Sequence, residues 1–353
     1  MAFPLTPPVA PMLAKAVKTI PEGDFAYEPK WDGFRCIVYR DGRDVELGSR
    51  SGKPLTRYFP EVAEAIASSG LPGRCVLDGE IVVPVGGRLD FDHLTNRIHP
   101  AQSRVDMLAH ETPASFVGFD LLALGDDSLL DRPFSVRREA LEAAFTGVGA
   151  PLHLTTCTRD LATATDWFDR FEGAGLDGVV AKPVDAAYDP GKRTMLKIKH
   201  HRTADVVIAG YRLHKASTPE NRLLGSMLLG LYDDAGVLQF VGGCSAFPSA
   251  TRADLPTVLD ELRVELDDHP WGPHGGEDDR RPEARSRWSG AKDMSFVPLA
   301  PSLVAEVAYD QLQSGRFRHA TQFQRFRPDR EPVSCTYSQL DEPAAYDLQD
   351  VLE

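Results

Sequence analysis

Two periodicities divide this chain. Over roughly the first 200 residues, short apolar runs alternate with stretches in which apolar positions recur every three to four residues. The first pattern fits the side-chain period of a strand, the second that of a helix. FAYEPKWDGFRCIVYRDG and RDVELGS predict two strands turned at Asp41-Gly42, a dipeptide suited to a tight hairpin. YFPEVAEAIASSG predicts a helix with Val62, Ala65 and Ile66 on one face and Gly70 as its stop. RCVLDGEIVVP and ASFVGFDLLAL read as buried strands. FSVRREALEAAF and DLATATDWFDRFEGAG read as helices, the second capped by Asp160. DGVVAKP and TMLKIKH close the region as strands. The mixture predicts an α+β domain built on antiparallel sheets.

From about His201 the texture changes to short strands: TADVVIAGYRL, GSMLLGLYD, GVLQFVGGC and SLVAEVAYDQL. About five such strands separated by turns predict a small β-barrel of the OB-fold kind. Between Asp267 and Met294 the chain is polar, charged and rich in Gly and Pro, which predicts a long surface loop. The expected division is therefore residues 1–200 and 201–353, the second domain carrying a loop near 267–294.

The length of 353 residues suffices for two domains with separate cores, and 42% hydrophobic with 26% charged residues is ordinary for a globular chain. No apolar run approaches the roughly 18 residues of a membrane helix, and prolines break the apolar N-terminal stretch, so neither a membrane nor a secretory role is expected. Five scattered cysteines, never in a CxxC pair, argue against a zinc site or a disulfide framework and for a reducing cytoplasm. The net charge of −13 hides two basic stripes. Gly191–Arg222 holds eight Lys/Arg against two acids, and Arg316–Arg330 holds five Arg against one Asp. Such stripes suit a phosphate backbone, although a solvated charged face would look the same.

Candidate chemistry begins at Lys30, in EPKWDGFR, at the end of a predicted strand and beside a turn. Lysine attacks phosphorus only as the free amine, a form that burial or neighbouring cations favour. Alone the pattern is weak. Farther on, Asp78 and Glu80 in LDGE put two carboxylates in a strand, where burial without partners is costly. DGVVAK adds Asp177 and Lys182. In MLKIKH, Lys197 and Lys199 lie two apart and so share one face of a strand. Carboxylates and lysines are the parts that phosphoryl transfer uses, as metal ligands and phosphate clamps.

In this order the motifs resemble those of the nucleotidyltransferase superfamily of ATP-dependent DNA ligases, most nearly its short bacterial C-type members. Lys30-Trp31-Asp32-Gly33 is similar to the nucleophile motif, Ser49-Arg50 to the second and Asp78-Gly79-Glu80 to the third. Phe116 to Asp120 is similar to the aromatic motif that follows, Asp177-Gly178-Val179-Val180 to the fourth and Lys197-Ile198-Lys199 to the fifth. Arg325-Phe326-Arg327-Pro328-Asp329-Arg330 is similar to the last, in the barrel domain.

The resemblance implies an adenylation domain followed by an OB-fold domain, with ATP and Mg²⁺ or Mn²⁺ as cofactors. It implies that Lys30 takes AMP from ATP, that AMP passes to the 5′-phosphate of a nick, and that the 3′-hydroxyl then displaces it. Glu28 joins the ATP-binding residues. Arg35 holds the ribose, Glu80 the ribose or a metal water, Arg50 reaches the AMP or nick phosphate and Phe119 stacks on adenine. Asp177 and Glu80 bind the metal, Lys197 and Lys199 hold the α-phosphate, and Arg327 and Asp329 orient pyrophosphate when the barrel closes. Many ligases carry Glu where Asp177 stands, and the shorter Asp implies metal contact through water.

The implied partner is nicked duplex DNA, including nicks that carry ribonucleotides, with a repair polymerase alongside and a monomeric chain. No helical N-terminal domain is in evidence, so grip on DNA is expected from the two domains. Competing readings are an RNA ligase or capping-type nucleotidyltransferase of the same superfamily, and a non-catalytic OB-fold DNA-binding module. The ordered set of Lys30, Glu80, Lys197 and Lys199 speaks against a mere binder.

Overall fold

The computed structural model describes residues 4–352 apart from 201, 219, 248, 275, 277–278, 283–293 and 341–344. Two compact units emerge: Met1–Lys199 together with Pro343–Glu353, and His200–Glu342.

In the first unit, continuous apolar runs become the central strands of two sheets. A four-stranded sheet runs in the order Ala14–Val17, Met195–Ile198, Val179–Pro183, Phe25–Pro29. The larger sheet has Leu152–Leu154, Ser115–Leu124, Arg74–Val82, Phe34–Asp41 and Asp44–Ser49 as successive neighbours, and Asp127–Ser128 pairs with Ser115–Leu124. The sheets are antiparallel except for one parallel pair in each: Ala14–Val17 with Met195–Ile198, and Leu152–Leu154 with Ser115–Leu124. The Asp41-Gly42 hairpin forms as expected, with Gly42 at φ 63°. Asp160 caps its helix by accepting from Thr163 N at 2.9 Å. The helix Gln102–Glu111, which shows little apolar periodicity, goes unpredicted from the sequence.

The long strand expected across Phe25–Asp41 is in fact two strands in different sheets. Pro29 has no N–H to continue a ladder, so the first strand ends there. Gly33 then lies against the larger sheet so closely that a Cβ would stand 2.2 Å from Ile81 O. Residues 30–33 are thus the crossing from one sheet to the other, and Lys30 opens it.

The second unit is a closed barrel of five strands, ordered Arg202–Leu213, Leu224–Tyr232, Leu238–Ala246, Thr321–Phe326, Val297–Tyr309. Its core includes Val206, Ile208, Leu229, Val241, Leu299 and Val307. The stretch expected to be a surface loop from 267 to 294 begins otherwise. Trp271 is buried in the barrel core, its Nε1 donating to Leu238 O at 2.8 Å, and buried His269 Nε2 lies 2.8 Å from Ala209 O. A single Trp–His pair supplies an anchor that average polarity hides. Much of the remaining stretch lies outside the described residues.

The sequence reading carries the second domain to residue 353, whereas residues 343–353 group with the first unit. Leu348 and Val351 are fully buried against Trp31, Phe119, Phe171 and Leu176. Leu348 N donates to Gly87 O at 2.8 Å. The segment is too short for a periodic signal, and its apolar residues find their partners about 170 to 320 positions away. Leu348→Ala is expected to lower the stability of the first unit by about 2–5 kcal/mol. Urea unfolding followed by the fluorescence of Trp31 and Trp167 should show the shift, with the unfolding of the barrel unit unmoved.

Candidate active site

Lys30 and Asp177 are brought together by the backbone. Lys30 N donates to Gly178 O at 2.8 Å, and Asp177 N donates to Lys30 O at 2.9 Å. Gly178 has φ 114°, and a Cβ there would meet Ile198 O at 2.0 Å, so only glycine permits this approach. The result is a three-point cluster in which Asp177 Oδ2 lies 2.6 Å from Lys30 Nζ and 2.6 Å from Lys199 Nζ.

A cavity of about 240 Å³ opens beside this cluster. Of the residues expected in the site, Glu28, Lys30, Arg35, Arg50, Glu80, Phe119 and Lys197 line it. Asp177 and Lys199 join through the ion pairs at Lys30. Arg327 and Asp329 belong to the second unit, where they pair with each other at 2.8 Å. Burial, together with the cations Lys199 and Lys30, lowers the pKa of Lys197 from its ordinary value.

The floor is set by the strand Arg74–Val82. Asp78 and Glu80 lie two apart and face the same way, as the alternation of a strand requires. Asp78, fully buried, accepts from Arg35 Nε at 2.5 Å, Arg35 Nη2 at 2.6 Å and Tyr188 OH at 2.5 Å. Burial alone would depress the Arg35 pKa, but the Asp78 carboxylate more than offsets it and the pKa is raised. The guanidinium stands 4.4 Å from the centroid of the Phe119 ring. Glu80 is the cross-strand partner of Arg35. Burial pushes its carboxyl up to about 7, against the pull of Arg35 and Lys30.

At the other end Glu28, almost wholly buried, accepts from Lys182 Nζ at 2.7 Å. Its Oε1 has no hydrogen-bond partner among the described residues. Burial raises the Glu28 pKa, more strongly than Lys182 and Arg138 lower it. Lys182 also donates to Phe119 O at 2.8 Å and lies 5.0 Å from that ring's centroid. Lys182 was visible in DGVVAK but not singled out as a site residue. It stands two positions after Val180, which also lines the cavity, so strand alternation could have found it. Tyr188, which also accepts from Met12 N at 2.9 Å, carries no sequence signal.

Among the described residues no group of three or more His, Cys, Asp or Glu could hold a metal ion by itself. Glu80 and Asp177 are two hard oxygen donors, and Mg²⁺ characteristically takes one or two carboxylates and completes its shell with substrate phosphates and water. The residues present fit such an ion. No helix among the described residues is long and apolar enough to cross a membrane.

A lysine at the edge of a cleft lined by cations, an aromatic ring and a perturbed carboxylate is an arrangement suited to the phosphates and base of a nucleotide. Residues 9–199 match the model of the ATP dependent DNA ligase domain, and residues 220–330 that of the ATP dependent DNA ligase C terminal region. The chain is 56% identical over 348 residues to DNA ligase C2 of Mycolicibacterium smegmatis, covering 97% of each protein. It is 55% identical over 359 residues to DNA ligase C of Mycobacterium tuberculosis, covering 100% of this chain and 99% of that one. A solved Lig E DNA ligase, 15% identical, shares the fold at a TM-score of 0.55 over 90% of this chain and 99% of that chain. The chain belongs to the ATP-dependent DNA ligases, which decides against the RNA-ligase, capping and non-catalytic readings.

The raised carboxyl of Glu80 makes a signed prediction. Its folded pKa of about 7 lies above the ordinary 4.5, so folding favours the protonated form. The associated stability is present below pH 4.5 and is lost as pH rises toward 7. Glu80→Gln, which keeps an acceptor for the backbone N–H of Gly33, should therefore match the parent chain near pH 4.5. It should become more stable by roughly 1–3 kcal/mol at pH 8. Unfolding free energies measured across this range check it, and a constant difference would contradict the assignment.

Proposed function

We propose that Lys30 carries the AMP in the ligase reaction and that the cavity beside it binds ATP. The observation that carries this reading is Lys30 Nζ at the cavity edge, 2.6 Å from Asp177 Oδ2. Asp177 is the acceptor placed to take the ammonium proton, and the free amine then attacks the α-phosphorus. The N–P bond forms as the bond to pyrophosphate breaks. Lys197 and Lys199 stand where negative charge develops on the α-phosphate, the arrangement that stabilises such a transition state. When Mg²⁺ is bound, it neutralises phosphate charge and orients the leaving pyrophosphate. Glu80, and Asp177 through water, would hold it.

Phe119 offers its ring to adenine, a purine contact that makes no demand on sequence. Glu28 Oε1, which makes no hydrogen bond among the described residues and has Arg138 Nη1 3.7 Å away, is an acceptor lining the same cavity. Arg35 and Glu80 face the ribose, and Arg50 a phosphate.

In later steps AMP passes from Lys30 to the 5′-phosphate of nicked duplex DNA, and the 3′-hydroxyl displaces it. The barrel unit is read as an OB-fold whose Arg327 and Asp329 orient pyrophosphate in the first step, and residues 1–200 as the adenylation domain to which the tail adds. Repair of nicks, including those carrying ribonucleotides, together with a polymerase is the role that suits such a ligase.

The chain incubated with ATP labelled at the α-phosphate and Mg²⁺ should acquire acid-labile label, and Lys30→Ala should reduce labelling to background. Label persisting in that variant would overturn the assignment.

A further inference from the structure

Arg327 is held on two sides. Its Nη1 donates to both carboxylate oxygens of Asp205, at 2.9 and 3.0 Å. Its Nε and Nη2 donate to Asp329, at 2.9 and 2.8 Å. Asp329 sits on the same exposed turn and moves with it. Asp205 lies on the barrel strand Arg202–Leu213, with only 14% of its side chain exposed. Its own backbone is fastened at two points: Asp205 N donates to Gln339 Oε1 at 2.8 Å, and Gln339 Nε2 donates to Asp205 O at 3.0 Å. The same carboxylate takes Arg330 Nε at 3.2 Å. Arg327 in turn has its backbone N bound to Val304 O at 2.8 Å.

A long arginine on a turn has many rotamers, and a planar guanidinium is oriented only when a carboxylate engages it through more than one bond. Asp329 engages it through two nitrogens but from the same turn, and Asp205 adds a two-bond grip from the barrel strand Arg202–Leu213. We infer that Asp205 is a positioning residue for the first step of the ligase reaction: it fixes the guanidinium of Arg327 in the orientation that meets pyrophosphate. This rests on the proposed role of Arg327 and extends it to a residue that no ligase motif of the sequence contains. Asp205 acts through Arg327, whose guanidinium it holds.

The test compares two reactions in the full-length chain. One is adenylation of Lys30 by ATP and Mg²⁺ at saturating ATP. The other is sealing of a nick already carrying AMP on its 5′-phosphate. Asp205→Ala should slow adenylation by about 10- to 100-fold, the usual effect of losing a group that orients a functional side chain. The loss should fall on the maximal rate with little change in the KM for ATP, and sealing of the adenylated nick should persist. Asp205→Glu should recover part of the rate. Arg327→Ala combined with Asp205→Ala should be no slower than Arg327→Ala alone, since two residues acting as one unit are not additive. Additive losses, or equal losses in both reactions, overturn the inference. Step-selective loss in Arg327→Ala with full activity in Asp205→Ala also overturns it while leaving the role of Arg327 intact. Equal losses in Arg327→Ala itself overturn that role and the inference with it. Should Asp205→Ala fail to seal because it does not fold, Asp205→Asn keeps the shape and one acceptor while removing the charge, and the same comparison decides.

Discussion

The carboxylate of Asp78 is taken wholly out of water, and the geometry of the cleft follows from the need to compensate it. A buried carboxylate without partners would cost several kcal/mol, and removing one member of such a pair costs as much again. Arg35 supplies two donors and Tyr188 a third. Each partner then places something else. Arg35 Nη2 reaches Met12 O at 3.3 Å, and the Tyr188 hydroxyl accepts from Met12 N at 2.9 Å, so the N-terminal segment is fastened at both its donor and its acceptor. The guanidinium also lies against Phe119, and its charge limits how far burial can raise the carboxyl of Glu80. One strand position thus fixes segments from both sheets, and the cavity is the space they leave.

The residues expected at the site were legible as a group because their types and order are informative. Lys30, Glu80, Lys197 and Arg50 all line the cavity, and Asp177 and Lys199 meet Lys30. The barrel was legible too, from the change to short strands after residue 200. What stayed hidden is long-range pairing. Nothing local says that Glu28 finds Lys182, that Asp78 finds Tyr188, or that Asp205 finds Arg327. The break of the strand at Pro29 was visible in principle, since proline removes a donor, but the apolar run on both sides of Lys30 concealed it. Trp271 shows the opposite failure: one large apolar residue in a polar stretch outweighs the average.

The basic stripes are less positive in three dimensions than in one. Arg325 pairs with Glu306 at 2.7 Å, and Arg327 and Arg330 share Asp205. In the other stripe Lys199 is bound to Asp177 and Lys192 to Asp189. Carboxylates lying outside each stripe therefore offset cations that a count along it leaves free. A phosphate approaching these groups must compete with an existing partner, so the local excess of charge overstates the pull on a nucleic-acid backbone. The compensation also lets a chain of net charge −13 keep arginines ordered rather than splayed into solvent.

The return of residues 343–353 to the first unit makes the barrel an insertion within it. Protein synthesis proceeds from the N-terminus, and domains generally fold as they emerge. Leu348 and Val351 are made only after the whole stretch from His200 to Glu342. The core beneath Trp31, and with it the backing of the loop that carries Lys30, is therefore completed last. A nascent chain still building its barrel has every cavity-lining residue of the first unit but not the full core behind Trp31 and Phe119. Assembly of the loop that carries Lys30 is in this way ordered after synthesis of the barrel by chain topology alone.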